Sequence, residues 1–292
     1  MIDLPPKILA ANIFEIGLVV AGWILIWRLQ FSRAARETRK INRPPLPSWN
    51  IDGAGFAFAG LCVCLGWLAA SIAYGQLLHH FPSIKSDEPL TTILGGTLSQ
   101  LGLLAGVTAG IYYIRQITTR TPAAEKPLPV MSTKVGLFRA GLVTFVITVS
   151  IVIPVQALWK YLLETWHLPT ANQEMVEIFY RTAAPSSIAL LAAMAVLLAP
   201  VTEELVFRGG LFRFLRDRAP HWVALVLPAL FFAALHVNYQ TFEGLVTLAP
   251  LLAFGIVFSL AYERTGHIAV VMVAHALFNL HTVVFLLLGL AN

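Results

Sequence analysis

The sequence predicts an all-α polytopic membrane protein with about eight transmembrane helices. Three observations predict it. Of the 292 residues, 58% are hydrophobic and only 12% are charged, about half the charged share of an ordinary soluble domain. The apolar residues gather into separate stretches, most near the ~20 residues that carry a helix across ~30 Å of hydrocarbon. No stretch shows the two-residue alternation of a membrane barrel, and a chain in lipid satisfies its backbone only in helices or closed barrels.

The stretches fall at 8–30, 51–75, 91–114, 136–159, 186–204, 222–237, 245–262 and 268–289. The first is preceded by Asp3 and Lys7, exceeds the ~7–15 apolar residues of a signal core, and is followed by a basic cluster, so it reads as a retained anchor. Asn12 and Glu15 share one of its faces, where Glu15 could line a pathway or pair with a neighbouring helix. The second holds Cys62 and Cys64, which point to different sides of a helix and are expected to pack. Gln100 and Gln156, in the third and fourth, are expected to form interhelical hydrogen bonds. The segment 164–184 is polar with spaced apolar residues and is expected along the interface. The sixth stretch is the shortest, and could be a core helix that does not cross fully. Residues 1–135 are expected to be accessory transmembrane helices, set apart from 136–292, where ionisable residues at membrane depth accumulate from about 185 onward.

Basic residues set the orientation. Arg28, Arg33, Arg36, Arg39, Lys40 and Arg43 follow the first stretch, and Arg115, Arg120, Lys126, Lys134 and Arg139 lie between the third and fourth. Arg208, Arg213, Arg216 and Arg218 follow the fifth, and Arg264 the seventh. Only Lys7, Lys85, Lys160 and Arg181 remain for the other side. The region around 203–208 is therefore expected at the cytoplasmic face, with both termini on the opposite side. The basic pI belongs to these loops, and no nucleic-acid partner is implied.

Three polar groups stand at membrane depth, where a charge costs about 2.5–3.5 kcal/mol to insert. Glu204 and Arg208 are four apart and can pair on one helix face, while Glu203 is turned about 100° away. Alone, they also fit a helix emerging into water. His236 lies four residues after Phe232 in an apolar run, where a lone histidine also fits a hydrogen-bonded core residue. His275 and Asn279 share a helix face, and also fit interhelical hydrogen bonding. Together, a carboxylate, two imidazoles and an amide form a kit for hydrolysis. A glutamate deprotonates water, a histidine assists the proton transfer, and a second histidine and an amide donate to an oxyanion. The groups converge only if residues 209–224 stand above the membrane, because His236 otherwise lies roughly 20 Å along its helix from Trp222.

The motifs EExxxR (Glu203, Glu204, Arg208), FxxxH (Phe232, His236) and HxxxN (His275, Asn279) occur in the order found in the CAAX prenyl protease type II-like (CPBP, or Abi) family. The resemblance covers about residues 186–282. It implies an intramembrane endopeptidase whose chamber opens to the cytoplasm, within a catalytic membrane domain at 136–292. By position it implies Glu203 as general base aided by His236, His275 and Asn279 as the oxyanion hole, Glu204 and Arg208 in support, and Phe232 as part of the wall. The implied partners are the bilayer and a peptide or protein substrate, which in part of the family is prenylated. The expected location is a prokaryotic cell membrane.

No metal or other cofactor is expected, since HExxH is absent. Zinc held by Glu203, His236 and His275 is the alternative. A non-enzymatic bacteriocin-immunity or scaffold protein, or a transporter using Glu15 and the histidines as a proton relay, are the competing functions.

Overall fold

Among the described residues, seven helices are long and apolar enough to cross a membrane, and an eighth apolar helix is shorter. They are α1 (Pro6–Phe31), α2 (Gly53–His80), α3 (Glu88–Thr118), α4 (Lys134–Thr165), α5 (Pro185–Arg216), α6 (His221–Ala234), α7 (Leu248–Thr265) and α8 (Ile268–Leu287). The structure is a computed structural model. It describes residues 5–33, 46, 48–85, 88–118, 134–171, 178–179, 182, 184–239, 241–242 and 244–290, and no strand occurs among them. Arg36, Arg39, Lys40, Arg43, Arg120, Lys126 and Arg181, which enter the orientation argument, lie outside these residues.

The chain is an all-α polytopic membrane protein, as its composition predicts, with two differences in the elements. The sixth stretch forms a helix of 14 residues, about 21 Å long, which is too short for the hydrocarbon layer. The fifth stretch does not end at 204. Its helix runs on to Arg216, so Arg208 lies inside a helix and not in a basic loop, and is only 1% exposed. The remaining basic residues still favour the same side.

Small residues decide how closely the helices pack. A Cβ at Gly66, Gly102 or Gly106 would overlap backbone of the opposite helix, so α2 and α3 pair as a close hairpin. Gly22 rests in the same way against Ser150 and brings α1 onto α4. Gly66 and Gly102 leave their positions open to the partner backbone because neither carries a side chain. Cys62 and Cys64 are free, and neither is buried.

One buried cluster joins α4, α5, α6, α7 and α8 through Phe145, Val149, Phe207, Phe232, Phe254 and Val271. A second joins α3, α5 and α8 and takes in Ile178 and Phe179. Those two belong to the segment expected along the interface. They are buried, whereas Trp166 and Leu168 of the same segment are exposed.

Polar contacts tie the ends of the elements. Trp49 N–H donates to Asp217 at 2.6 Å, and Arg218 donates to the Ile51 carbonyl, fastening the start of α2 to the end of α5. Glu263 accepts from Arg216 at 2.7 Å and pairs with His221 at 3.0 Å, joining α5, α6 and α7. Gly266, with a φ of 69°, caps α7 and turns the chain at once into α8.

Candidate active site

The helix that carries Glu203 is not regular. At Met194–Leu198 and Leu205–Phe212 its turns widen so that each N–H reaches back five residues, with a normal turn at Ala199–Glu204 between them. Such widened turns recur at functional sites. Pro200 sits in the normal turn and has no N–H to give. In the wide register, Ala199 N–H donates to the Met194 carbonyl. The next donor in that register would be residue 200, and the next acceptor Ala195. Asn279 of α8 fills the gap, its Nδ2 donating to the Ala195 carbonyl at 2.7 Å. This uses one of the two amide hydrogens of Asn279 and leaves the other.

Glu204 is 0% exposed and Arg208 1%, and Arg208 Nη1 donates to Glu204 Oε1 at 2.9 Å. The guanidinium carbon also lies 5.1, 5.7 and 5.4 Å from the ring centroids of Phe232, Phe254 and Phe258. Three aromatic faces and one carboxylate thus surround a buried cation. The same carboxylate oxygen lies 2.8 Å from His275 Nδ1. That bond fixes the imidazole, and Nε2 then faces Glu203 Oε2 at 3.7 Å. Glu203 itself remains partly exposed, as the spacing of the two acids requires if one is neutralised and the other left available.

His236 lies in the turn just past α6, one turn beyond Phe232. Its Nδ1 is 2.8 Å from the Phe232 carbonyl, which can only accept. Nδ1 therefore carries the hydrogen, and Nε2 offers a lone pair in the neutral ring. The Phe232 ring stands 4.7 Å from the His236 ring and 6.3 Å from the His275 ring.

All five of Glu203, Phe232, His236, His275 and Asn279 line one cavity of about 390 Å³. Its other walls come from Gly96 and Gln100 of α3, Gln156 of α4, Phe179, and apolar residues including Met194, Leu251 and Phe278. Sequence reasoning placed Gln100 as an interhelical bond. It does bond α5, but its partners are Thr202 and Glu203, so it belongs to the site. Phe179 was not singled out, and only its aromatic character within a polar stretch could have signalled it. Glu15 lies away from this cavity, 3.9 Å from His281, whose ring stacks with Phe14 and lies tilted against Phe285. A more open groove of about 610 Å³ on α3 is lined by apolar residues with Thr108, and holds no ionisable side chain other than Tyr112.

Among the described residues, no three His, Cys, Asp or Glu side chains are grouped to hold a metal ion. Glu203, His236 and His275 do not form such a group in this arrangement.

Comparison with known proteins gives three findings. Residues 185–281 match the family described as type II CAAX prenyl endopeptidase Rce1-like. A protein of Escherichia coli named "Uncharacterized 24.3 kDa protein" is 32% identical over 107 residues, which is 36% of this chain and 48% of that protein. The chain thus spans about half the length of this curated relative. No solved structure matches.

Proposed function

We propose, from the match of residues 185–281 to the Rce1-like family of type II CAAX prenyl endopeptidases, that the chain is an intramembrane endopeptidase that hydrolyses a peptide bond with water activated by Glu203. The observation that carries this reading is the convergence of Glu203, His236, His275 and Asn279 on one cavity within a bundle of membrane-length helices.

Each group has a part. Glu203 presents a carboxylate oxygen to the cavity and takes a proton from water. His236 offers its Nε2 lone pair and relays that proton toward the leaving amine. His275 donates to the developing oxyanion from Nε2 in the form that carries a proton there, and Asn279 donates with its second amide hydrogen. Glu204 and Arg208 keep the His275 ring in place. Phe232 stands beside both imidazoles and forms part of the wall. Metal is not required in this scheme.

In this reading the cut lies near the cytoplasmic face, the side that the basic residues favour, the membrane is that of a prokaryotic cell, and the peptide or protein substrate arrives from the bilayer or the cytoplasm. CAAX processing of a prenylated substrate is the version that the family description suggests.

Purified protein in detergent, offered a peptide library, is expected to cut, and Glu203→Gln is expected not to. Cutting by Glu203→Gln at the parental rate removes Glu203 as the base. No cutting by the parent on any peptide, prenylated or plain, favours a non-enzymatic binding role.

A further inference from the structure

The segment that matches the family begins at residue 185, yet a side chain from α3, some hundred residues earlier in the chain, reaches Glu203. Gln100 Nε2 lies 3.4 Å from Glu203 Oε1. On its other side, Gln100 Oε1 accepts from the Thr202 hydroxyl. We infer that Gln100 is a positioning residue, holding one oxygen of the Glu203 carboxylate so that the other faces His275 and the cavity. The inference rests on the reading of Glu203 as the base.

Chemistry fixes the orientation of the amide. A carboxylate only accepts, so the Gln100 atom beside it must be the NH₂. The reversed amide would set two acceptor oxygens against each other at Glu203, whereas the Thr202 hydroxyl can accept as well as donate and fits either way. The local fold explains why a glutamine arrives here. Gly96 lies four residues before Gln100, on the same helix face. A Cβ at Gly96 would stand 2.8 Å from the Met194 sulfur, so α3 meets α5 here across a small residue and a flexible thioether. One turn later Gln100 falls level with Thr202 and Glu203. The two oxygens of Glu203 are then divided: Oε1 toward Gln100, and Oε2 at 3.7 Å from His275 Nε2.

A residue that merely joins helices would act through packing. A positioning residue acts through its N–H, and the two separate experimentally. Gln100→Met keeps the length and removes the donor, and Gln100→Ala removes both. Both variants of the full chain are expected to lose about tenfold in kcat, at the low end for a bond to a charged group because the contact is long. KM is expected to stay within about twofold. Infrared difference spectra supply a second readout. The carboxylate band assigned to Glu203, by its loss in Glu203→Gln, is expected to move in both Gln100 variants. Parental kcat in Gln100→Met, or an unmoved band, overturns the proposal. If the parent makes no Glu203-dependent cut, the protease reading fails and the positioning role with it, and the band decides the contact alone: moved upholds it, unmoved overturns it.

Discussion

Replacing Arg208 by methionine removes the guanidinium that pairs with a fully buried carboxylate. The pair stands at 2.9 Å with both side chains at most 1% exposed. Breaking such a pair costs about 3–5 kcal/mol, mainly from the charge left behind. The guanidinium also loses three aromatic faces at 5.1–5.7 Å, each worth about 0.5–2 kcal/mol where water is excluded. Methionine recovers part of that packing. Glu204→Leu is expected to cost a similar amount, since it strands the guanidinium and frees His275 Nδ1, held now at 2.8 Å. The double variant removes both charges at once, and is expected to cost less than the two single losses together by more than about 2 kcal/mol. It does not return to the parent, because a buried imidazole N–H without an acceptor still costs about 1–3 kcal/mol. Denaturant-induced unfolding in mixed micelles gives the four free energies. Additive losses, or an Arg208→Met variant as stable as the parent, would refute the picture of a mutually dependent buried pair.

Other perturbations separate the remaining claims. Asn279→Leu is expected to lower kcat by roughly 10²–10³ as an oxyanion donor is lost, and to cost about 1–3 kcal/mol in the same unfolding assay as the Ala195 carbonyl is orphaned; an active, equally stable variant contradicts both roles. Gly102→Leu is expected to force α2 from α3 at a cost of about 1–3 kcal/mol or more, read as a lower melting point in detergent; an unchanged melting point means the hairpin is not close-packed. A chelator, with metal analysis of the protein before and after, is expected to leave proteolysis unchanged; activity lost on chelation and restored by zinc removes the metal-free scheme.

The helix count and the Glu204–Arg208 pairing follow from the apolar runs and from four-residue spacing. The inward faces of the helices do not. In water, an apolar stripe marks the side that is buried. In lipid the outside is as oily as the inside, so α2, with Phe58, Leu61, Leu65 and Trp67 all exposed, reads the same all round. The burial of Arg208 was hidden because a basic residue near a span end resembles an interfacial one. The tie between Asn279 and Ala195 was hidden because it follows from the widened turns around Pro200, and those appear only once α5 is packed. His236 reaches the cavity because α6 stops at Ala234, short of it; apolar residues continue past that point and gave no sign of the stop.

The proline in α5 has a mechanical consequence. A straight helix can slip along its neighbour, exchanging one set of oily contacts for another at little cost. Here a slip of α8 by a single turn would carry Asn279 off the Ala195 carbonyl and leave that oxygen without the donor that stands in for the missing N–H. The missing hydrogen of Pro200 works as a detent that locks the sliding register of these two helices. In the proposed protease, any breathing that lets a peptide chain enter must therefore come from walls other than the α5–α8 pair, such as the short α6.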